Sequence, residues 1–190
     1  MRIVLASGSP RRRELLVALG LTFEIELSDI DETPRESEAP EALVARLSSS
    51  KAEAVLARNG YRDALIIAAD TVVVLDGAML GKPEDVDQNR RYLSWLSGKT
   101  HTVFTGHCLI YGDQREVVVQ RTEVVFRELS PHEIGRYVAT GEGLDKAGGY
   151  AIQGRGAALV SRIDGCYFNV VGLSLATVVE SAGRLGVSLV

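Results

Sequence analysis

Only two of the 190 residues are cysteines, Cys108 and Cys166, and they stand far apart without metal-ligand spacing. The simplest reading is two reduced thiols packed as small apolar groups. His101, His107 and His132 show no zinc spacing either, and the first two fall on or beside strands, in structural positions. No apolar run reaches membrane-spanning length, so a membrane partner is not expected. The amino terminus, MRIVLASGSPRRR, puts a short apolar run before a basic cluster, the reverse of a signal peptide. A soluble cytoplasmic protein is the expectation. Positive charge is not in excess: Lys and Arg number 21 against 25 Asp and Glu, a formal net charge of -4. Nucleic acid is therefore not an expected partner, because phosphate contacts along a duplex need a basic face. An anionic small substrate stays open, since local charge placement matters more there than the total.

Several catalytic signatures are missing as well. Without a G-x-x-x-x-G-K-[ST] loop, P-loop chemistry has no support. Gly154-Arg155-Gly156 lacks a third glycine and leads into a strand, which rules out a dinucleotide fingerprint. Ser7 and Ser9 have no G-x-S-x-G context.

What is present is a chain with 46% hydrophobic and 24% charged residues, enough for one core or two small lobes sharing a cleft. Residues 2–6 read as a strand. Ser9 suits a helix N-cap and Pro10 the first helical position, with Gly20 as the stop. A strand-like stretch covers 22–28, an acidic loop follows, and a helical pattern runs from about 40 to 58. Residues 64–75, ALIIAADTVVVL, are the most apolar stretch and read as a buried strand, ended by the hairpin signal Asp76-Gly77. A loop and helix lead to Gly98. Strands at 100–111 and 115–127 flank a turn at Gly112-Asp113, and Ser130-Pro131-His132-Glu133 is a capping box opening a helix to about 139. A glycine-rich segment leads into a strand at 157–163, and a last helix follows. The alternation argues for an α/β fold, with the 100–127 hairpin making the sheet mixed.

Three features carry possible chemistry. In SGSPRRR, small residues at a strand-to-helix turn leave backbone N–H groups free, and the arginines add forked donors suited to phosphate. An ordinary capped helix with solvated arginines is the competing reading. Three cations in a first helical turn oppose the helix dipole, however, and a bound anion would relieve that. Asp70 lies inside IIAADTVVV, where an unpaired carboxylate is costly, so it needs a cleft, a cation, a metal or local N–H donors. Lys51, on the 40–58 helix, and Lys82, in LGKPED, would supply charge for a phosphoryl transition state if they meet Asp70. Glu32, in DIDE, is a candidate second carboxylate for a divalent metal.

Taken in order, ASGSPRRRELL (6–16), DIDE (29–32), the helix with Lys51, AADTVV (68–73), LGKP (80–83), SGKTHTVFTG (97–106), DKAGGYAIQG (145–154) and FNVVGL (168–173) resemble the Maf family of nucleotide pyrophosphatases. The likeness covers essentially the whole chain. Ser174 stands where members commonly have proline, and Gly149 where alanine is frequent; both positions read as structural turns. The resemblance implies a single domain over 1–190. Its fold would be a mixed twisted sheet with flanking helices and two lobes around a deep substrate cleft, as in Maf and ITPase-like proteins, often as a homodimer. It implies cleavage of nucleoside triphosphates between the α and β phosphates with a divalent metal (magnesium or manganese), and a link to septum formation. By position, Asp70 would be the catalytic base, with Lys51, Lys82 and Glu32 also catalytic. Asp70 and Glu32 would face the metal, with the division of labour between them left open. Ser7, Ser9, Arg11 and Arg13 would hold the triphosphate. Arg12, Thr71 and Gln153 would read the base, a combination that looks like the thymidine/uridine branch. Two rival readings are a phosphatase that releases orthophosphate stepwise and a nucleotide-binding module without turnover.

Overall fold

The computed structural model describes residues 1–58 and 60–190. The chain forms a seven-stranded sheet in the order β2-β1-β3-β5-β6-β7, with β4 paired to β3. The strands are β1 (Arg2–Leu5), β2 (Glu24–Ile25), β3 (Ala64–Leu75), β4 (Ala78–Leu80), β5 (Thr100–Tyr111), β6 (Gln114–Phe126) and β7 (Val160–Asp164). The helices are α1 (Pro10–Ala18), α2 (Pro40–Leu56), α3 (Val86–Leu96), α4 (Pro131–Val138), α5 (Tyr167–Val171) and α6 (Leu175–Arg184). β1 runs parallel to β2 and β3, while the β3–β4 and β6–β7 pairs are antiparallel. The expected mixed α/β sheet with flanking helices is what the chain forms.

Two compact units divide the residues. The first comprises 1–70, 105–120 and 172–190; the second comprises 71–104 and 121–171. In the first, Val4 and Ala6, Ala64, Ile66 and Ala68, and Cys108 and Ile110 share one cluster with Ala52 and Val55 of α2. The spacing of two along each strand puts all of them on one sheet face, which α2 covers. Small side chains at 6, 52, 64 and 68 let the helix come close. Gly106 lies in the same alternation on β5. A methyl group there would stand 2.2 Å from the carbonyl oxygen of Val44, so only glycine admits the backbone of α2 at this distance. The buried stripe of α2 is Leu43, Val44, Leu47, Ser48, Lys51, Ala52 and Val55, which places a lysine in a row of core positions.

The second unit is built around β4, α3, α4, α5, β7 and parts of the long strands. Asp76 and Gly77, both at positive φ (51° and 81°), make the tight β3–β4 turn. His101, Phe126 and Tyr150 pack edge to face, with His101 Nε2 2.7 Å from the Tyr150 hydroxyl. Burial holds the His101 imidazole down at about 4. α4 begins with the expected capping box, Ser130 and Glu133 each bonding the other's backbone N–H.

Two boundaries and one helix differ from expectation. The strand-like 22–28 shortens to Glu24–Ile25, because only these residues pair, with Val4 and Leu5. Residues 154–159 form a 3-10 turn, so β7 starts at Val160 rather than 157. α5 was not foreseen; five residues are too few for a helical period to declare itself.

Candidate active site

The loop between β1 and α1 does what its small residues allow. Ser9 is the N-cap of α1 by position, with Pro10 at the first turn, but its side chain makes no capping bond. Instead the Ser9 N–H donates to Ser7 Oγ at 3.2 Å. Arg12 is not a solvated first-turn cation. It is buried, its Nε donates to the carbonyl of Gly172 at 2.8 Å, and its Nη1 donates to Ser7 Oγ at 3.1 Å. Burial lowers its pKa from the ordinary arginine value, Asp70 and Glu32 pull it back up, and Arg11 opposes them. The guanidinium remains a cation and is held in one orientation. Arg11 is half-buried and Arg13 exposed, so the three arginines occupy three different environments.

Asp70 has the cationic partner that its surroundings require. Lys51 Nζ lies 2.6 Å from Asp70 Oδ1 and 2.8 Å from Glu32 Oε1. The side chains of Lys51 and Asp70 are 9% and 13% exposed, while that of Glu32 is 53% exposed. One ammonium therefore serves two carboxylates, with the Arg12 guanidinium close enough to interact with both and Glu32 open to solvent. Hard oxygen donors of this kind, carboxylates, are the ligands that magnesium or manganese favours. Among the described residues no group of three or more His, Cys, Asp and Glu side chains is arranged to hold a metal ion.

His107 supports this end of the first unit. It is buried; its Nε2 accepts from the Ser174 N–H at 2.8 Å, and Nδ1 donates to the Val118 carbonyl at 3.3 Å. The bond accepted at Nε2 needs the neutral ring, and burial holds its pKa down at about 4, with Arg12 adding to the effect and the Val118 bond opposing it. Ser174 in turn caps α6, and the carbonyl two residues earlier, at Gly172, is the one that receives Arg12.

Ser7, Ser9, Arg11, Arg12, Arg13, Glu32, Lys51 and Asp70 thus lie in the first unit, and Thr71, Lys82 and Gln153 in the second. Thr71 follows Asp70 on β3 and is half-buried; Lys82 is exposed on the loop after β4. Gln153 is half-buried at the start of the 154–159 turn, and its side chain makes no capping bond there.

Comparison with known proteins settles the family. The family described as Maf-like protein matches residues 2–184. The chain belongs to the Maf family. A protein named dTTP/UTP pyrophosphatase from Moorella thermoacetica is 52% identical over 99% of this chain and 97% of its own length. Proteins of the same name from Pelotomaculum thermopropionicum and Deinococcus radiodurans are 48% and 49% identical, over 97% and 98% of this chain and 96% and 94% of theirs. A solved structure, of the Staphylococcus aureus Ham1 protein, overlaps 99% of this chain and 91% of its own at 14% identity and a TM-score of 0.48.

Within this Maf chain, Ser174 and Gly149 each have a physical reason in the packing. A proline at 174 would lack the N–H that His107 accepts. At 149, where φ is 74°, a methyl group would stand 2.2 Å from Nδ2 of the buried Asn89, which donates to the Gly149 carbonyl. Ser174 pairs with His107, and Gly149 with Asn89.

Proposed function

We propose that the protein hydrolyses dTTP and UTP to the monophosphate and pyrophosphate, clearing nucleotides from the cellular pool. The observation that carries this reading is the Asp70–Lys51–Glu32 cluster, in a chain about half identical to proteins named dTTP/UTP pyrophosphatase. On this reading water attacks the α phosphorus, the bond from that phosphorus to the bridging oxygen breaks, and pyrophosphate leaves. Asp70 orients the water and takes its proton. Lys51 and Lys82 offset the charge that gathers on the phosphoryl oxygens and the leaving group. Ser7, Ser9, Arg11 and Arg13 hold the triphosphate, and Arg12, Thr71 and Gln153 read the base. Asp70 and Glu32 would hold a magnesium or manganese ion, which when bound supplies Lewis acidity and lowers the pKa of water.

The chain acts as one domain on this reading, which the interleaving of the two units supports: β3, β5 and β6 each contribute residues to both. No helix among the described residues is long and apolar enough to cross a membrane. The protein works in the cytoplasm on free nucleotides, as a homodimer, with neither nucleic acid nor membrane as partner. The deciding experiment is chromatography of an early time point with UTP and magnesium. UMP and pyrophosphate in equal amounts, without UDP, are expected; UDP with orthophosphate would move the protein to the stepwise phosphatases.

A further inference from the structure

The segment Ala151-Ile152-Gln153-Gly154-Arg155-Gly156 is held from both sides by two side chains that the proposed chemistry does not use. Tyr137, on α4, accepts the Ala151 N–H at its hydroxyl oxygen, at 3.0 Å. Glu142, just beyond α4, accepts the Arg155 N–H at Oε1 (3.1 Å) and the Gly156 N–H at Oε2 (2.9 Å). Tyr137 and Glu142, at and just beyond the end of α4, thus grip the two ends of the segment as one fixture. Its base is firm: the Glu142 N–H donates to Thr140 Oγ1, and Thr140 Oγ1 donates to the Tyr137 carbonyl. The glycines follow from the fixture. A methyl group on Gly154, where φ is 63°, would stand 2.2 Å from Glu142 Oε1. One on Gly156 would stand 2.0 Å from the Ala151 carbonyl oxygen and 3.0 Å from the Tyr137 hydroxyl. The Gly-Arg-Gly sequence is thus shaped to receive a carboxylate, with no dinucleotide involved.

Gln153 lies midway between the bonded N–H groups of 151 and 155. Ile152 beside it is buried and Arg155 is exposed, while Gln153 is half-buried with its amide not committed to capping. A carboxylate that satisfies two successive N–H groups resists sliding of the backbone, because each bond to a charged acceptor contributes more than a neutral one.

We propose that Glu142 and Tyr137 are positioning residues for base recognition, fixing the backbone on both sides of Gln153 so that its amide meets the pyrimidine at a set depth. This rests on the reading of Gln153 as a base-reading residue. An amide can present either donor or acceptor by flipping, so its discrimination depends on where its backbone holds it.

The test compares Glu142→Gln, Tyr137→Phe and Gln153→Ala, each with UTP and CTP under steady-state conditions and with its melting temperature measured. Glu142→Gln replaces one acceptor by an amide donor that faces a backbone N–H. Tyr137→Phe removes only the hydroxyl and keeps the ring, and it carries the same comparison if Glu142→Gln does not fold. The expected result is a KM for UTP raised about tenfold, the equivalent of one lost hydrogen bond, with kcat nearly kept and the UTP/CTP ratio of kcat/KM reduced. Adding Glu142→Gln or Tyr137→Phe to Gln153→Ala should then change that ratio no further. If Gln153→Ala shifts the ratio while the two clamp variants lower only the melting temperature, the positioning role is overturned. If Gln153→Ala itself leaves the ratio unchanged, the base-reading role fails first and takes the positioning role with it.

Discussion

Lys51 Nζ stands between Asp70 Oδ1 and Glu32 Oε1, at 2.6 and 2.8 Å, so the nucleotide-free site is already partly neutralised by its own lysine. An ammonium in that place repels a second cation. Manganese should therefore bind weakly to the free protein and much more tightly once a non-hydrolysable UTP analogue supplies phosphate oxygens. Lys51→Met should tighten manganese binding to the free protein by at least about tenfold, since even in bulk water two unit charges about 4 Å apart repel by about 1 kcal/mol and the ion is divalent. Calorimetric titration checks both statements; equal manganese affinity in the variant and the parent would count against metal binding at Glu32 and Asp70.

The same substitution removes the ammonium that sits at hydrogen-bond distance from the nearly buried Asp70 carboxylate. Breaking such a pair costs about 3 kcal/mol, at the lower end of the range for buried pairs because Glu32 and part of Asp70 still meet water. Lys51→Met should lower the melting temperature and also cut kcat, whereas Lys51→Arg should recover stability ahead of activity.

Asp70→Asn keeps shape and removes the base. Loss of general base catalysis lowers kcat by roughly 10²–10⁴-fold, with a smaller drop in melting temperature than Lys51→Met because Glu32 still pairs the ammonium. A folded variant with near-normal kcat would take Asp70 out of the reaction.

Arg12 gives the sharpest selectivity prediction. A guanidinium only donates, so near O4 of uracil or thymine it accepts a carbonyl and rejects the amino group of cytosine. Arg12→Ala should therefore lose discrimination between UTP and CTP more than it loses turnover of UTP. It should also lose stability, by about 1–3 kcal/mol, because the Gly172 carbonyl loses the Arg12 donor and Ser7 Oγ keeps only the Ser9 N–H. Equal losses of kcat/KM on every nucleotide would make Arg12 a phosphate ligand instead.

The two buried histidines set a pH window. Each is neutral in the fold, held down at about 4 against an ordinary value of 6.5. The unfolded chain binds their protons first, so stability is fully present above pH 6.5 and is lost as the pH falls toward 4. The loss approaches about 3 kcal/mol for each ring. Melting temperatures across pH 7 to 4 should fall steeply before the carboxylates Glu38 and Glu133, held down at about 2, begin to be protonated. His107→Gln should flatten part of that fall.

Much of this was legible in the residues, and the rest fails for identifiable reasons. The β1-turn-α1 unit, the long buried β3, the Asp76-Gly77 turn and the Ser130 capping box each announce themselves by local chemistry, and the chain folds accordingly. Asp70 in an apolar strand signals the need for a partner. That Lys51 would answer it is hinted at by its place in the apolar stripe of α2, but the meeting depends on how α2 lies on β1 and β3. Arg12 reads as one of three equivalent arginines because its acceptor, Gly172, is 160 residues away. Glu142 looks like any loop acid, since the N–H groups it accepts belong to residues 13 and 14 positions later. The one local hint was a pair of glycines around Arg155, which suggests close approach without saying by what.

Gly106 gives the site a mechanical tolerance. Val44 and Lys51 are seven residues apart, two turns along one face of α2, so the helix acts as a lever resting on the missing side chain of Gly106. Adding one methyl group there would lift the fulcrum, carrying the Lys51 ammonium away from carboxylates it now meets at ordinary hydrogen-bond length. The alignment of charge at Asp70 is thus machined into the thickness of the sheet two turns away, at a position that bears no charge and touches no substrate.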